Sequence, residues 1–189
     1  MPLDPNRFTR KTGEALQSAQ ALAREQNHSQ VTPEHLLAAL VSQPEGVVLP
    51  VLERVGVPAK TVRDRVEEAL QNLPKVYGQT AQQAQLAPAA YSLLEAADEE
   101  RAGLDDDYLS TEHVLLAMSE VTGGVGDLLR GLGVSHDAVL AALKDVRGSH
   151  RVTSENPEDQ YQALERFARD LTAAARKADK QLAVAEAAE

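Results

Sequence analysis

Cysteine is absent from the 189 residues, and so is tryptophan. The first absence removes disulfides, thiol nucleophiles, iron–sulfur clusters and cysteine-ligated zinc together. With aromatics at 3%, the chain also lacks the means to build a base-stacking platform or an aromatic cage. Positive charge is scarce: 19 Lys and Arg stand against 29 Asp and Glu, a net charge of −10. A nucleic-acid footprint needs a basic patch to neutralise phosphates, and docking on an anionic membrane needs the same. Long apolar runs are missing; none approaches the roughly 18 residues of a membrane span. Met1-Pro2-Leu3-Asp4-Pro5-Asn6-Arg7 has no apolar stretch of the signal-peptide kind. What remains is dominated by Ala and Leu. The expectation is a soluble, cytoplasmic, helical protein with neither nucleic acid nor membrane as partner.

Against these absences stands an internal repeat. Val31-Thr32-Pro33-Glu34-His35-Leu36-Leu37-Ala38-Ala39-Leu40 aligns with Leu109-Ser110-Thr111-Glu112-His113-Val114-Leu115-Leu116-Ala117-Met118 at an offset of 78. Leu16 and Leu94, then Ala19 and Ala97, keep the same offset, and after one deletion Val55-Gly56-Val57 matches Leu132-Gly133-Val134. Several elements in one order indicate a duplication.

Each copy reads as four helices. Thr9 is placed to cap the first, whose Ala15, Leu16, Ala19, Leu22 and Ala23 form one apolar stripe. Thr32 caps the second, with Pro33 at the first helical position, where a missing N–H costs nothing. A short third helix spans Val48 to Arg54 and a fourth follows Val57-Pro58. The second copy repeats the plan from Pro88, with Gly123-Gly124 breaking its second helix and Gly123 to Gly126 read as a flexible joint. The fold class expected is all-α: two tandem, pseudo-two-fold-related four-helix repeats, then a linker and a helical tail. The boundaries are 1–74, an inter-repeat linker at 75–85, 86–147, a flexible linker at 148–157, and 158–189 with an Ala-rich end.

Two readings fit Glu34-His35 and Glu112-His113. Each pair is either a structural helix start, with the carboxylate complementing the macrodipole, or a shallow acidic corner suited to cationic side chains. Zinc is disfavoured because no two of the five histidines stand four apart. Asp105-Asp106-Asp107 lacks the alternating ligands, central Gly and closing Glu of a calcium loop. No Gly-x-Ser-x-Gly, no zincin motif and no Gly-x-x-x-x-Gly-Lys-Ser/Thr is present, so no enzyme is expected and no cofactor is called for.

Phe8-Thr9 followed by Ala15-Leu16-x-x-Ala19, with Thr32-Pro33-Glu34-His35-Leu36-Leu37 and its second copy, resembles the double Clp N-terminal domain of Clp-type AAA+ unfoldases over about residues 3 to 147. Arg151-Val152-Thr153-Ser154-Glu155-Asn156-Pro157-Glu158-Asp159 and Tyr161 to Thr172 resemble the junction of ClpB disaggregases leading into their first ATPase module. Beyond Thr172 the Ala/Glu-rich sequence departs from the family, so an excised fragment and a stand-alone relative both fit.

The resemblance implies a domain that binds unfolded or aggregated polypeptides weakly and delivers them to the pore of a hexameric AAA+ ring. ATP would bind ATPase modules not carried here. Family positions implicated in substrate handling fall on Thr9, Asp106 and Glu112; Glu34 is the repeat mate of Glu112, and the mate of Thr9 is Ala87. Leu16, Leu94 and Tyr108 are expected to line an apolar groove beside them. The alternative is a stand-alone adaptor or regulator that docks on a Clp ATPase ring. The isolated domain is expected to be a monomer, because ring contacts in the family come mainly from the ATPase modules.

Overall fold

A computed structural model describes residues 3–77 and 84–161. The chain divides into two units, Met1–Asn156 and Pro157–Glu189. In the second, the described residues 157–161 are helical; the rest of the expected helical tail and the middle of the inter-repeat linker lie outside the described residues.

Among its described residues the first unit contains eight α-helices. In the first repeat these are α1 (Arg10–Glu25), α2 (Pro33–Ser42), α3 (Val48–Val55) and α4 (Ala59–Gln71). In the second they are α5 (Pro88–Gly103), α6 (Thr111–Glu120), α7 (Gly124–Gly131) and α8 (His136–Arg147). The stop and start signals act as their chemistry dictates. Thr9 Oγ1 accepts from the Thr12 N–H, Ser135 Oγ from the Ala138 N–H, and Gly56 ends α3 at φ 91°, where a Cβ would be strained.

The two helices at the centre are α2 and α6. Every residue of α6 from Thr111 to Ser119 is buried, as are His35 to Leu37 and Ala39 to Val41 of α2. A helix buried on all sides sits at the centre of the fold even where, as in α6, it carries polar groups that need partners. Removing each Leu side chain here from water contributes about 1.5–3 kcal/mol. Around this pair the repeats interdigitate: α3 packs on α8 and α4 on α7. The duplicated helices thus trade neighbours across the pseudo-two-fold.

Two short parallel pairings complete the exchange. Strand β1 (Gln30–Val31) pairs with β2 (Gln85–Leu86), with Val31 opposite Leu86. Phe8 forms an isolated parallel bridge with Leu109. Adding the repeat offset of 78 to 8 and 31 gives 86 and 109, so these are one contact made twice. In each, the residues leading into one repeat's first helix pair with the loop between helices one and two of the other.

The Gly123–Gly126 stretch, expected as a flexible joint, instead begins α7. Gly123 and Gly124 have φ of 78° and 45°, and Arg130 Nη1 donates to the Ser119 and Val121 carbonyls at 2.7 and 3.0 Å. That guanidinium satisfies acceptors the end of α6 leaves over. A β-carbon on Gly126 would collide with the Val121 carbonyl oxygen. Gly126→Ala is therefore expected to cost about 3 kcal/mol in a thermal or urea melt. Gly131→Ala, in the same helix with open space around the added carbon, should be neutral or slightly stabilising. Equal effects for the two would show that close approach is not what requires glycine.

Candidate functional site

The start of α6 is fixed by a histidine capping arrangement. Ser110 N–H and Oγ both lie 2.9 Å from His113 Nδ1. Because Nδ1 accepts the backbone proton, the imidazole carries its own on Nε2, which donates to Asp106 Oδ2 at 2.8 Å. The Arg147 guanidinium, from the last turn of α8, grips both oxygens of that carboxylate at 2.8 Å, and Val152 N–H donates to Oδ1 at 2.8 Å. Burial pushes the Asp106 pKa up, but the hydrogen bonds from His113, Arg147 and Val152 outweigh it and hold the group at about 2. Arg101 adds a bond from Nη1 to the Asp106 carbonyl at 2.7 Å, while its Nε pairs with Asp98 at 2.6 Å. That bond keeps Asp98 below the usual carboxylate range.

Thr9 joins the same cluster through the backbone. Its N–H donates to the Leu109 carbonyl at 3.0 Å, and the Thr12 hydroxyl donates to that oxygen at 3.0 Å. The Thr9 hydroxyl, 2.9 Å from that of Thr12, donates to it and accepts from Thr12 N–H. Thr9 is thus bonded to Leu109, next to Tyr108 in the chain, while Asp106 and Glu112 both face Arg147. The first repeat holds a mate of this arrangement. His35 Nδ1 accepts from Thr32 N–H at 3.0 Å, and its Nε2 meets His28 Nδ1 at 2.8 Å. His28 stands 78 residues before Asp106. Here the chain of donors requires both rings neutral, and burial drives the same way: the His35 pKa falls to about 4, and that of His28 is also lowered.

One expectation is corrected. Glu112 does not form a shallow acidic corner: it is fully buried, with Arg147 Nη1 3.6 Å from Oε1. The cause is the basic residue at the end of α8, whose repeat mate, allowing for the deletion, is Leu70. Glu34 is half-buried instead and reaches the first turn of α7, its Oε1 lying beside Gly124. Thr9 and Asp106 are also buried, Leu94 sits in the core, and Leu16 and Tyr108 are half-buried.

Sequence reasoning missed a cleft of about 620 Å³ between α1, α2 and α4. Leu22, Ala38, Ala39, Val66 and Leu70 supply its apolar surface, and Lys11, Glu14, Glu25, Arg63 and Glu67 its charged rim. None of the seven residues predicted from sequence lines it. In the second repeat, His136 Nε2 bonds Glu100 Oε1 at 2.9 Å between α8 and α5; the corresponding positions here are Ala59 and Leu22, which cannot tie the helices together.

Residues 152 and 155 of the 148–157 stretch, expected as a flexible linker, are hydrogen-bonded to both repeats. Asp107 and Tyr108 N–H groups point to the Val152 carbonyl at 2.9 and 3.3 Å, and Arg10 N–H donates to Glu155 O at 2.8 Å. These bonds are made by its backbone carbonyls, which side-chain composition does not report.

With this geometry established, comparison with known proteins is decisive. The sequence profile described as "Clp repeat (R) N-terminal domain" matches residues 7–132. The chain belongs to the Clp N-terminal repeat family. ClpB chaperones of Bacillus cereus and Mycobacterium tuberculosis are 40% and 41% identical to it over 176 and 169 residues. Those matches cover 92% and 89% of this chain but 20% of each relative, so the chain spans about a fifth of their length. It has the character of the N-terminal, non-catalytic domain of a ClpB-type chaperone. Among solved structures, the Hsp104 N-terminal domain from Candida albicans superposes with a TM-score of 0.69 at 24% identity, over 80% of this chain and 98% of that one. The ClpV1 N-terminal domain from E. coli gives 0.63 at 22%, over 79% and 90%. These two confirm the all-α Clp-N fold. No helix among the described residues of this Clp-N domain is long and apolar enough to cross a membrane.

Proposed function

We propose that this Clp-N domain is the client-binding module of a ClpB-like disaggregase, holding unfolded or aggregated polypeptide weakly and passing it to the pore of an AAA+ ring. The observation that carries the reading is the cleft between α1, α2 and α4. Its apolar floor accepts side chains without regard to their identity, and its mixed-charge rim suits the flanking polar chain. Family resemblance also assigns Thr9, Asp106 and Glu112 to client handling, with Tyr108, Leu16 and Leu94 as apolar neighbours and Glu34 as the repeat mate of Glu112. A related fold is known to seat a peptide: a ClpV N-domain has been solved with a VipB peptide, 21% identical with a TM-score of 0.56 over 72% of this chain and 89% of that one. Binding is expected to be weak because the client must be released.

The test is an NMR titration of the isotope-labelled chain with a permanently unfolded polypeptide. Shift changes should cluster at Leu22, Ala38 and Val66. Ala21→Arg, at an exposed cleft position, should weaken binding about tenfold, roughly 1.4 kcal/mol, with the unfolding transition unchanged. No response at millimolar client, with binding to an assembled Clp ring intact, would replace this reading with a docking regulator.

A further inference from the structure

We infer that the edge formed by residues 105–109 and the start of α1 is a slot for an extended basic–aliphatic peptide, and that the chain's own residues 151–155 fill it as a built-in mimic. This rests on the client-binding reading. Residues 151–155 are held on the edge through backbone groups, which any extended peptide would also offer. Val152 commits both backbone groups, donating to Asp106 Oδ1 at 2.8 Å and accepting from Asp107 and Tyr108 N–H at 2.9 and 3.3 Å. Three residues on, the Glu155 carbonyl accepts Arg10 N–H, one of the donors that the first turn of α1 leaves without an intrahelical partner.

Side chains add the specificity. Val152 is fully buried, whereas its neighbours Arg151 and Thr153 are exposed, so one aliphatic residue anchors the segment. Arg151 pairs with Asp105 at 3.2 Å and Asp107 at 3.8 Å while nearly half exposed. A peptide with Arg or Lys before a β-branched residue would reproduce every one of these contacts. Backbone bonds, a single apolar anchor and a solvent-screened ion pair make the occupant exchangeable.

The first repeat shows what the edge looks like without these fittings. Its corresponding segment after α4 makes a backbone bond from Val76 N–H to Asn27 O. The position of Asp106 is His28 there, which has no carboxylate to receive an incoming N–H. The slot is therefore built once, where residues 105–109 of the second repeat meet the start of α1. A tethered occupant competes at high effective concentration, so a client in solution meets a closed edge unless it binds more tightly or the tether is pulled away. Of the buried residues Thr9, Asp106 and Glu112, Asp106 is the one the segment covers directly, through the Val152 N–H.

The experiment uses the full chain and a fluorescent nine-residue peptide of sequence 148–156, Gly-Ser-His-Arg-Val-Thr-Ser-Glu-Asn. The unaltered chain should ignore the peptide. Val152→Asp should unseat the resident segment and bind the peptide, shifting the Asp107 and Tyr108 amides, while a peptide with glutamate for its arginine binds at least tenfold more weakly. Unfolded polypeptide should bind Val152→Asp about fivefold more tightly than the unaltered chain. If Val152→Asp perturbs the fold, Arg151→Glu, at an exposed side chain, reads the same equilibrium. Peptide binding without unfolded-polypeptide binding would keep the slot and sink the client reading. Failure of the peptide to bind either variant, with the two amides unmoved, would overturn the slot whatever the client does.

Discussion

Replacing Asp106 with alanine should lower the unfolding free energy by about 3–5 kcal/mol in urea denaturation. The carboxylate receives the Nε2 proton of His113, both arms of Arg147 and the Val152 N–H, and is 2% exposed. Its removal takes away the closer of the two carboxylates facing Arg147 and leaves the His113 Nε2–H without its acceptor in the interior, and a buried donor left unmet costs more than a lost surface pair. Glu112→Gln makes the contrast. Arg147 keeps its hydrogen bond and its ion pair to Asp106, and Glu112 accepts no hydrogen bond within the described residues, so the substitution should change stability by less than about 1 kcal/mol. Comparable losses for the two would mean that Arg147 is held by the pair of acids jointly. Loss of client binding in an Asp106→Ala chain must accordingly be read alongside its melting curve.

Acidification should remove about 3 kcal/mol of stability between roughly pH 6.5 and 4, before most carboxylates titrate. The group responsible is His35. Its folded pKa is about 4, burial being the main cause and His28 the second, against about 6.5 in an unfolded chain. Below pH 6.5 the unfolded state takes up a proton that the folded state refuses, so stability is complete above this window and falls as pH drops through it. His28, also lowered, acts in the same direction. Asp106, with a folded value of about 2, adds a second loss below about pH 4, as its unfolded carboxyl protonates first. Urea midpoints at pH 7.5, 5.5 and 4.5, with ring NMR shifts of His35, measure this. A flat midpoint over that range would show that the His28–His35 bond survives protonation.

Much of the helical plan is legible in the residues. The 78-residue offset, the caps at Thr9 and Thr32, Pro33 and Pro88 at first helical positions and Gly56 all report local chemistry that survives into the fold. The two parallel pairings left no such trace, because a two-residue ladder is too short to show period-two alternation. Extending the repeat alignment back to His28 and Asp106 would have revealed that each second helix begins on a paired histidine. Arg147 gives no such signal: its mate is Leu70, and nothing local distinguishes a guanidinium that seals a buried carboxylate from one that ends a helix in solvent. The cleft was missed for a similar reason. It arises from a tie absent between α1 and α4, and a missing cross-link is visible only after the helices have been placed.

The reciprocal pairing of Phe8 with Leu109 and of Leu86 with Val31 is what a domain-swapped homodimer looks like after its two copies have been joined into one polypeptide. Half of the molecule, produced alone, would present a donor strand with nothing to receive it and an acceptor loop with nothing to bind. Two such halves would satisfy each other. Severing the chain between Tyr77 and Ala84 should therefore yield fragments that co-purify rather than two independent domains, and the first repeat expressed alone should self-associate through the interface on which it now meets its duplicate.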